Sequence, residues 1–175
     1  MQAYIRELKY NKANTLYSAE VAIERQTAHC LEGAFVAAAV LEIHGHPPLV
    51  LSFESQDGID HVIYVFKERA RWGAVAQSRD IGLFGRPPIY RSLRDLAWSY
   101  FDPYVDHSGM ITAYQLANLD DSKSPWRNST RNVWKAENYL LKIEHRKMKA
   151  SKERYLKLKE AHEKNGPMEK QKNWW

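Results

Sequence analysis

Residues 30–41 read Cys-Leu-Glu-Gly-Ala-Phe-Val-Ala-Ala-Ala-Val-Leu, and this stretch decides the fold. Because it is apolar and rich in alanine, it predicts a buried helix. Thr27 can serve as the N-cap, which places Cys30, the only cysteine of the chain, in the first turn. Gly45 and the two prolines that follow it end the helix at about Ile43. The sequence therefore places a single thiol at the start of a core helix.

Three strands are predicted downstream of this helix. Residues 49–53, 60–66 and 71–77 are rich in β-branched and aromatic side chains, and turn residues or charges separate them. The second and third strands form an antiparallel hairpin. Because a hairpin pairs its strands outward from the loop, His61 and Asp80 lie at the same end of the predicted sheet.

The predicted fold class is α+β, with the cysteine helix packed on an antiparallel sheet and a long helix near the C-terminus. Residues 1–106 are expected to form the core domain. Residues 107–132 are polar and rich in turn residues, which indicates a surface linker. Residues 133–175 are expected to be a basic helical extension, because residues 133–164 are almost entirely good helix formers.

The net positive charge of the chain comes from its last quarter. The net charge is +5, and residues 134–175 hold 12 Lys and Arg against 6 Glu, so the rest of the chain is close to neutral. The lysines alternate with glutamates, which is typical of a solvated or self-pairing helix. Without basic motifs flanked by aromatic residues, this segment lacks a surface for reading bases, so nucleic acid is not an expected partner.

Composition and the N-terminal sequence set the expected compartment. The longest uncharged apolar run is far too short to span a bilayer, so no membrane association is expected. The first residues contain no apolar segment of the kind that a secretion signal needs. One cysteine cannot form an internal disulfide, and an unpaired thiol is easier to keep reduced in the cytosol. The expected location is the cytoplasm.

Cys30, His61 and Asp80 occur in an order that thiol acyl transfer can use. The start of a helix lowers the pKa of a cysteine, because unpaired N–H groups and the helix dipole favour the thiolate. An imidazole at His61 can pair with the sulfur and protonate the leaving group, and a carboxylate at Asp80 can orient that imidazole. The backbone N–H of Cys30 and the side chain of Gln26, one helical turn upstream, are candidate oxyanion donors.

Three segments carry a resemblance to a known family. The run from Cys30, the strand Asp-His-Val-Ile-Tyr-Val-Phe at 60–66 and the stretch Trp-Gly-Ala-Val-Ala-Gln-Ser-Arg-Asp at 72–80 resemble the core of the transglutaminase-like superfamily, which are papain-like cysteine enzymes. The resemblance covers roughly residues 17–105 and suggests a small member of bacterial type. It implies a papain-like fold in which Cys30 is the nucleophile, His61 the base and Asp80 its partner. That superfamily includes protein crosslinkers, proteases, amidases, deglycosylating enzymes and acyltransferases.

Other residues could complete the site or have ordinary structural roles. Trp72 and Arg86 are candidates for the wall of a substrate cleft, although Trp72 fits the core equally and Arg86 a solvated basic face. His29 could replace His61 as the base, but neighbouring side chains on a helix point about 100° apart. Two loop histidines at 44 and 46 have no nearby third ligand, so no metal and no cofactor are predicted.

Two functions from different classes follow. The first is a cysteine hydrolase or acyltransferase that attacks an amide or ester carbonyl of a peptide, a protein or a small molecule and forms a thioester at Cys30. The second is a catalytically silent interaction module in which residues 133–164 act as a docking or dimerisation arm. In the second case Cys30 is a small apolar core residue, His61 a core histidine bonded to a backbone carbonyl, and Asp80 a cap.

Overall fold

Six strands pair antiparallel in one sheet within the described residues, 1–58, 60–106 and 108–167 of a computed structural model. In chain order the strands are β1 (Leu49–Ser55), β2 (His61–Glu68), β3 (Arg71–Val75), β4 (Arg86–Tyr90), β5 (Ile111–Asn118) and β6 (Arg146–Lys147). Across the sheet their order is β4-β3-β2-β1-β5-β6. The helices of the same ranges are α1 (Gln2–Glu7), α2 (Ala19–Arg25), α3 (Cys30–Glu42), α4 (Leu93–Tyr104), α5 (Trp134–Lys142) and α6 (Lys152–Asn165). The chain is therefore α+β, as predicted.

The two faces of the sheet bury different side chains. Along β2, Val62 and Tyr64 belong to a core shared with α1, α2, α3 and α5. Ile63 and Val65 belong to the opposite core, which α4 closes together with part of α6. This division follows from the two-residue period of a strand. Within the described ranges, no helix is both long enough and apolar enough to cross a membrane.

The helix that carries the cysteine begins at Cys30, and His29 caps it in place of the predicted Thr27. The imidazole of His29 accepts a hydrogen bond from the N–H of Leu31, and the carboxylate of Glu32 accepts one from the N–H of His29. These reciprocal bonds form a capping box, so α3 starts at Cys30 itself. Thr27, the predicted cap, instead forms a bridge with Lys9, and its hydroxyl donates to the Lys9 carbonyl over 2.9 Å.

Gly33 sets how closely α3 approaches the sheet. A Cβ at this position would lie 2.6 Å from the Cβ of Gln77, the second residue after β3. The absence of a side chain therefore lets the first turn of α3 lie directly on the chain that leaves β3. Gln77 in turn donates hydrogen bonds to the carbonyls of Ile5 and Leu8, which fastens the N-terminal segment beside the same turn.

The predicted linker at 107–132 is wrong, because this stretch contains β5. β5 pairs with β1 along its whole length, from Leu49 opposite Asn118 to Ser55 opposite Ile111. Its buried residues are small or widely spaced, and turn residues flank it, so its apolar pattern is weak in the sequence. Trp126, which is fully buried against Phe35, also packs this stretch against α3.

The predicted C-terminal helix is present as α6, but the span predicted for it, 133–164, is wrong, because it divides into α5, β6 and α6. The backbone turns extended at Ile143, β6 pairs with β5, and a new helix, α6, starts at Lys152. Pairing at the free edge of β5 and burial of Met148 outweigh the helix propensity of this segment, since tertiary contacts override weak local preferences. Part of the predicted extension, residues 168–175, lies outside the described residues.

Candidate active site

Cys30 is the first residue of α3, and its half-buried thiol lies beside two cavities. The backbone N–H at this helical position has no acceptor within the helix, so it is available to a bound group. The sulfur lies 4.0 Å from the carbonyl oxygen of Asp60. The N-terminal end of α3 thus carries both the thiol of Cys30 and its backbone N–H, which has no acceptor within the helix.

His61 is the first residue of β2, and the sheet holds its ring in place. Phe53 lies directly opposite it on β1, and the two rings stack with centroids 6.3 Å apart and planes 12° apart. The Nε2 atom lies 3.2 Å from the carbonyl oxygen of Leu83. Because a carbonyl can only accept, Nε2 carries the proton, and Nδ1 is left as the basic nitrogen. The side chain is buried, with 4% of its surface exposed.

Both neighbouring imidazoles act on the thiol. Burial alone would raise the pKa of Cys30, but hydrogen bonds with His29 and His61, together with their positive charge, outweigh it and lower the pKa to about 5. The helix start contributes in the same direction. The thiolate is therefore the stable form at neutral pH, which is the form that attacks carbonyl carbon.

His29 reaches the thiol because it lies outside the helix. Its backbone is extended, with φ −86° and ψ −174°, so the angle between helical neighbours does not apply. Burial acts to lower the pKa of His29, but the hydrogen bond with Cys30 and the charges of Cys30 and Glu32 raise it above its ordinary value. Glu32 is fully buried and also accepts hydrogen bonds from Asn11 and from the N–H of Tyr17. His29 thus stands between a thiolate and a buried carboxylate.

Asp80 lines the same cavity as Cys30 and His61, but it does not orient the imidazole. It is exposed and precedes a short 3-10 turn, Ile81–Leu83, whose last carbonyl accepts the hydrogen bond from His61. His61 and Asp80, which the hairpin predicts at the same end of the sheet, both line this cavity. The orienting group is a backbone oxygen three residues beyond the predicted carboxylate.

Arg86 lies behind the cavity and not in its wall. It is fully buried, and its guanidinium donates to the carbonyls of Gly82, Phe84 and Ser99. These bonds anchor the 3-10 turn that supplies the acceptor for His61. Arg86, predicted to line the cleft, thus stabilises the turn Ile81–Leu83 that contacts the imidazole of His61.

Gln26 and Trp72 lie away from the thiol. Gln26 ends α2 in the left-handed conformation, with φ 51°, and its amide donates to Tyr4 and to the carbonyl of Ile23. It is not one turn upstream in the cysteine helix, since α3 starts only at Cys30. Trp72 pairs with Lys67 at the far end of β2, about 20 Å from His61 at the usual rise per strand residue. Neither residue lines either cavity beside the thiol.

Tyr10 is a site residue that sequence reasoning missed. It lines the cavity that holds Cys30 and His61, and the guanidinium of Arg79 lies over its ring at 5.8 Å. Burial, together with the negative charge of Cys30, raises the pKa of Tyr10 to about 12. Its hydroxyl therefore stays protonated and can donate a hydrogen bond. The aromatic N-terminal segment has no period that points to this role.

A second cavity lies on the other side of the thiol, and we name it the α5 cavity. Its volume is about 410 Å³, within the range of small-ligand sites. Apolar side chains form much of its wall, and they are Leu31, Val62, Trp134, Leu140 and Leu141. Glu137 of α5, Asp60, His29 and Cys30 supply its charged or titratable groups. The thiol thus stands between a polar cavity and one with an apolar wall.

No protein-family model matches this chain, and no curated protein matches its sequence. Within the described ranges, no three His, Cys, Asp or Glu side chains are grouped as a metal site would require. The chemistry of the site therefore rests on its own geometry.

Proposed function

We propose that this protein is a cysteine-dependent acyl-transfer enzyme that hydrolyses an amide or ester, and that it belongs to the transglutaminase-like superfamily. One observation carries the proposal. A thiol at the first residue of a buried helix lies within reach of an imidazole whose other nitrogen is fixed by a backbone carbonyl. Nucleophile, base and orienting group are the parts that thiol catalysis needs.

Acylation starts from the thiolate of Cys30 paired with the imidazolium of His61. The sulfur attacks the carbonyl carbon of the substrate, the C=O π pair moves to oxygen, and a tetrahedral intermediate forms. The backbone N–H of Cys30 and the hydroxyl of Tyr10 donate to the oxyanion. His61 then transfers its Nδ1 proton to the leaving nitrogen or oxygen, and the bond between carbonyl carbon and leaving group breaks. A thioester at Cys30 remains.

Deacylation regenerates the thiolate. Water gives a proton to Nδ1 of His61 and attacks the thioester carbon, and collapse of the second tetrahedral intermediate releases a carboxylic acid and the sulfur. Throughout both steps Nε2 keeps its proton and its bond to Leu83, so the ring does not rotate. In this mechanism Asp80 contributes its negative charge across the cavity and makes no hydrogen bond to His61. An amine could replace water as the acceptor, which would make the product a new amide.

The cytoplasm is the proposed location, because a reactive single thiol persists where glutathione keeps cysteines reduced. The proposed substrate is a peptide, a protein or a small amide or ester. The alternative, an interaction module with a free C-terminal arm, has less support. Ala136 and Leu140 of α5 are buried in the core that also holds α3, so that helix is not free to dock.

Acylation with p-nitrophenyl acetate tests the proposal. The expected result is a burst of p-nitrophenolate and one acetyl group on Cys30, detected by intact-protein and peptide mass spectrometry. Cys30→Ala should abolish the adduct, and His61→Ala should slow both its formation and its hydrolysis. A folded protein that gains no acetyl group at Cys30 would overturn the assignment.

A further inference from the structure

The α5 cavity combines an apolar wall with a carboxylate that forms no ion pair with any residue the structure describes. Glu137 projects from α5 into this space and is half-buried. Among the residues that the structure describes, no side chain forms a hydrogen bond or an ion pair with it. Its charged neighbours are His29, Cys30 and Asp60.

The balance of charge in this cavity is negative. Asp60 also lines it, and among the described residues its carboxylate accepts hydrogen bonds from Ser55 and from no cation. The thiolate of Cys30 adds a further negative charge, and the imidazoles of His29 and His61 oppose it. Burial raises the pKa of Glu137, and the opposing effect of His29 offsets this only in part.

We propose that the α5 cavity is a specificity subsite for a substrate side chain with an aliphatic stem and a terminal cation, and that Glu137 binds the cation. The inference rests on the proposed acyl transfer at Cys30. The stem would lie along Leu31, Val62 and Leu140, whose apolar surface suits methylene groups. Lysine and arginine are the amino acids with this construction, so the preferred substrate is a peptide with a basic residue next to the attacked carbonyl.

The chemistry excludes the other substrate classes for this subsite. An acidic side chain would meet Glu137, Asp60 and the thiolate, a repulsion that costs binding in a partly dry cavity. A wholly apolar side chain would use the wall but would desolvate Glu137 without a partner. A cation on a stem satisfies both the wall and the carboxylate.

Two alkylating probes of similar length test the subsite directly on Cys30. N-(4-aminobutyl)chloroacetamide carries the stem and a cation, and N-pentylchloroacetamide carries the stem alone. Rates are measured on the full chain at pH 7 and divided by the rates with a small free thiol. We expect the cationic probe to label Cys30 at least about fivefold faster than the neutral one, as a single partly buried ion pair would give.

Glu137→Gln should remove most of this preference, and Glu144→Gln is the matched control. Glu144 is exposed, loses the same charge and does not line the cavity. Equal ratios for wild type and Glu137→Gln, with Cys30 still reactive, would overturn the subsite alone. A Cys30 that reacts with neither probe would instead overturn the proposed function. Melting temperatures of both variants confirm that the comparison is between folded proteins.

Discussion

At the scale of single residues, the reactivity of Cys30 depends on two histidines that reach it from different elements. His61 approaches from the start of β2, and His29 approaches from the cap of α3 itself. In His61, Nε2 is held by the Leu83 carbonyl, and Nδ1 is left for the proton of the reaction. In His29, by contrast, Nδ1 accepts from the Leu31 N–H and Nε2 lies 3.3 Å from the Thr15 carbonyl. We therefore assign proton transfer to His61 and stabilisation of the thiolate to both.

The pH dependence of alkylation measures this assignment. Because only the thiolate reacts, the rate of iodoacetamide labelling should rise with pH through the pKa of Cys30 and level off above it. The midpoint should lie at about pH 5 in the native protein, and near the ordinary value of about 8.5 in urea. His61→Ala should raise the native midpoint and slow labelling below it. A native midpoint equal to that in urea would contradict the assignment.

Tyr10 should matter for turnover and not for the thiolate. Tyr10→Phe removes the hydroxyl that donates to the oxyanion, and loss of one such donor typically lowers kcat by about a hundredfold. The ring and its contact with Arg79 remain, so the melting temperature should change little. Ester turnover and the iodoacetamide profile are measured side by side. An unchanged acylation rate would remove Tyr10 from the mechanism.

At the scale of elements, the site depends on a short turn more than on any helix. The turn Ile81–Leu83 carries the carbonyl oxygen of Leu83 that holds His61. The buried guanidinium of Arg86 donates to the carbonyls of the two residues that flank Leu83, which are Gly82 and Phe84. The Tyr100 hydroxyl from α4 also donates, to the Phe84 carbonyl over 3.0 Å. The orientation of the imidazole of His61 therefore depends on Arg86 and Tyr100, which lie behind the cavity.

Arg86→Lys tests this chain of contacts. Lysine keeps the charge but cannot form the fork of hydrogen bonds to several carbonyls. We expect His61 to lose its fixed orientation, so that the labelling midpoint of Cys30 moves upward and kcat falls at least about tenfold. A purely structural Arg86 would lower the melting temperature while the midpoint stayed near pH 5. The profile is taken well below the melting temperature, so that only folded protein contributes.

Sequence reasoning found the parts whose signal is local. β1, β2 and β3 are apolar runs between turn residues, and Cys30 and His61 carry chemistry in their side chains. β5 was missed because its weak pattern becomes a strand only through β1 beside it. The acceptor for His61 could not be predicted, because a backbone carbonyl has the same chemistry in every residue. β6 depends on the free edge of β5, which no local preference encodes.

At the scale of the whole molecule, the C-terminal third closes both cores. Ala136 and Leu140 complete the core that contains α3, and Met148 belongs to the core that contains α4. α6 adds a surface contact, in which Arg154 pairs with Asp102 of α4 over 2.6 Å. The first part of this segment is thus core, and α6 is a covering layer.

Two truncations separate these contributions. Ending the chain after residue 132 removes buried Leu140 and Met148, each worth about 2–3 kcal/mol, together with the edge strand, against a typical total stability of 5–15 kcal/mol. We expect this fragment to lose its cooperative unfolding transition in urea. Ending the chain after residue 150 should leave a folded protein of lower melting temperature with a reactive Cys30. A 1–132 fragment that keeps a cooperative unfolding transition would instead show that residues 133–175 form a separable arm, as the interaction-module alternative expects.

The position of β5 has a consequence for the protein while it is being made. β1 finds one neighbour, β2, immediately, but its other neighbour follows roughly sixty residues later in the chain. Trp126 and α5, which close the core around the cysteine helix, follow later still. Contacts so distant in sequence form late, after the intervening chain has left the ribosome. In a nascent chain the thiol of Cys30 should therefore be unreactive. It should become a nucleophile only after about residue 140 has left the ribosome.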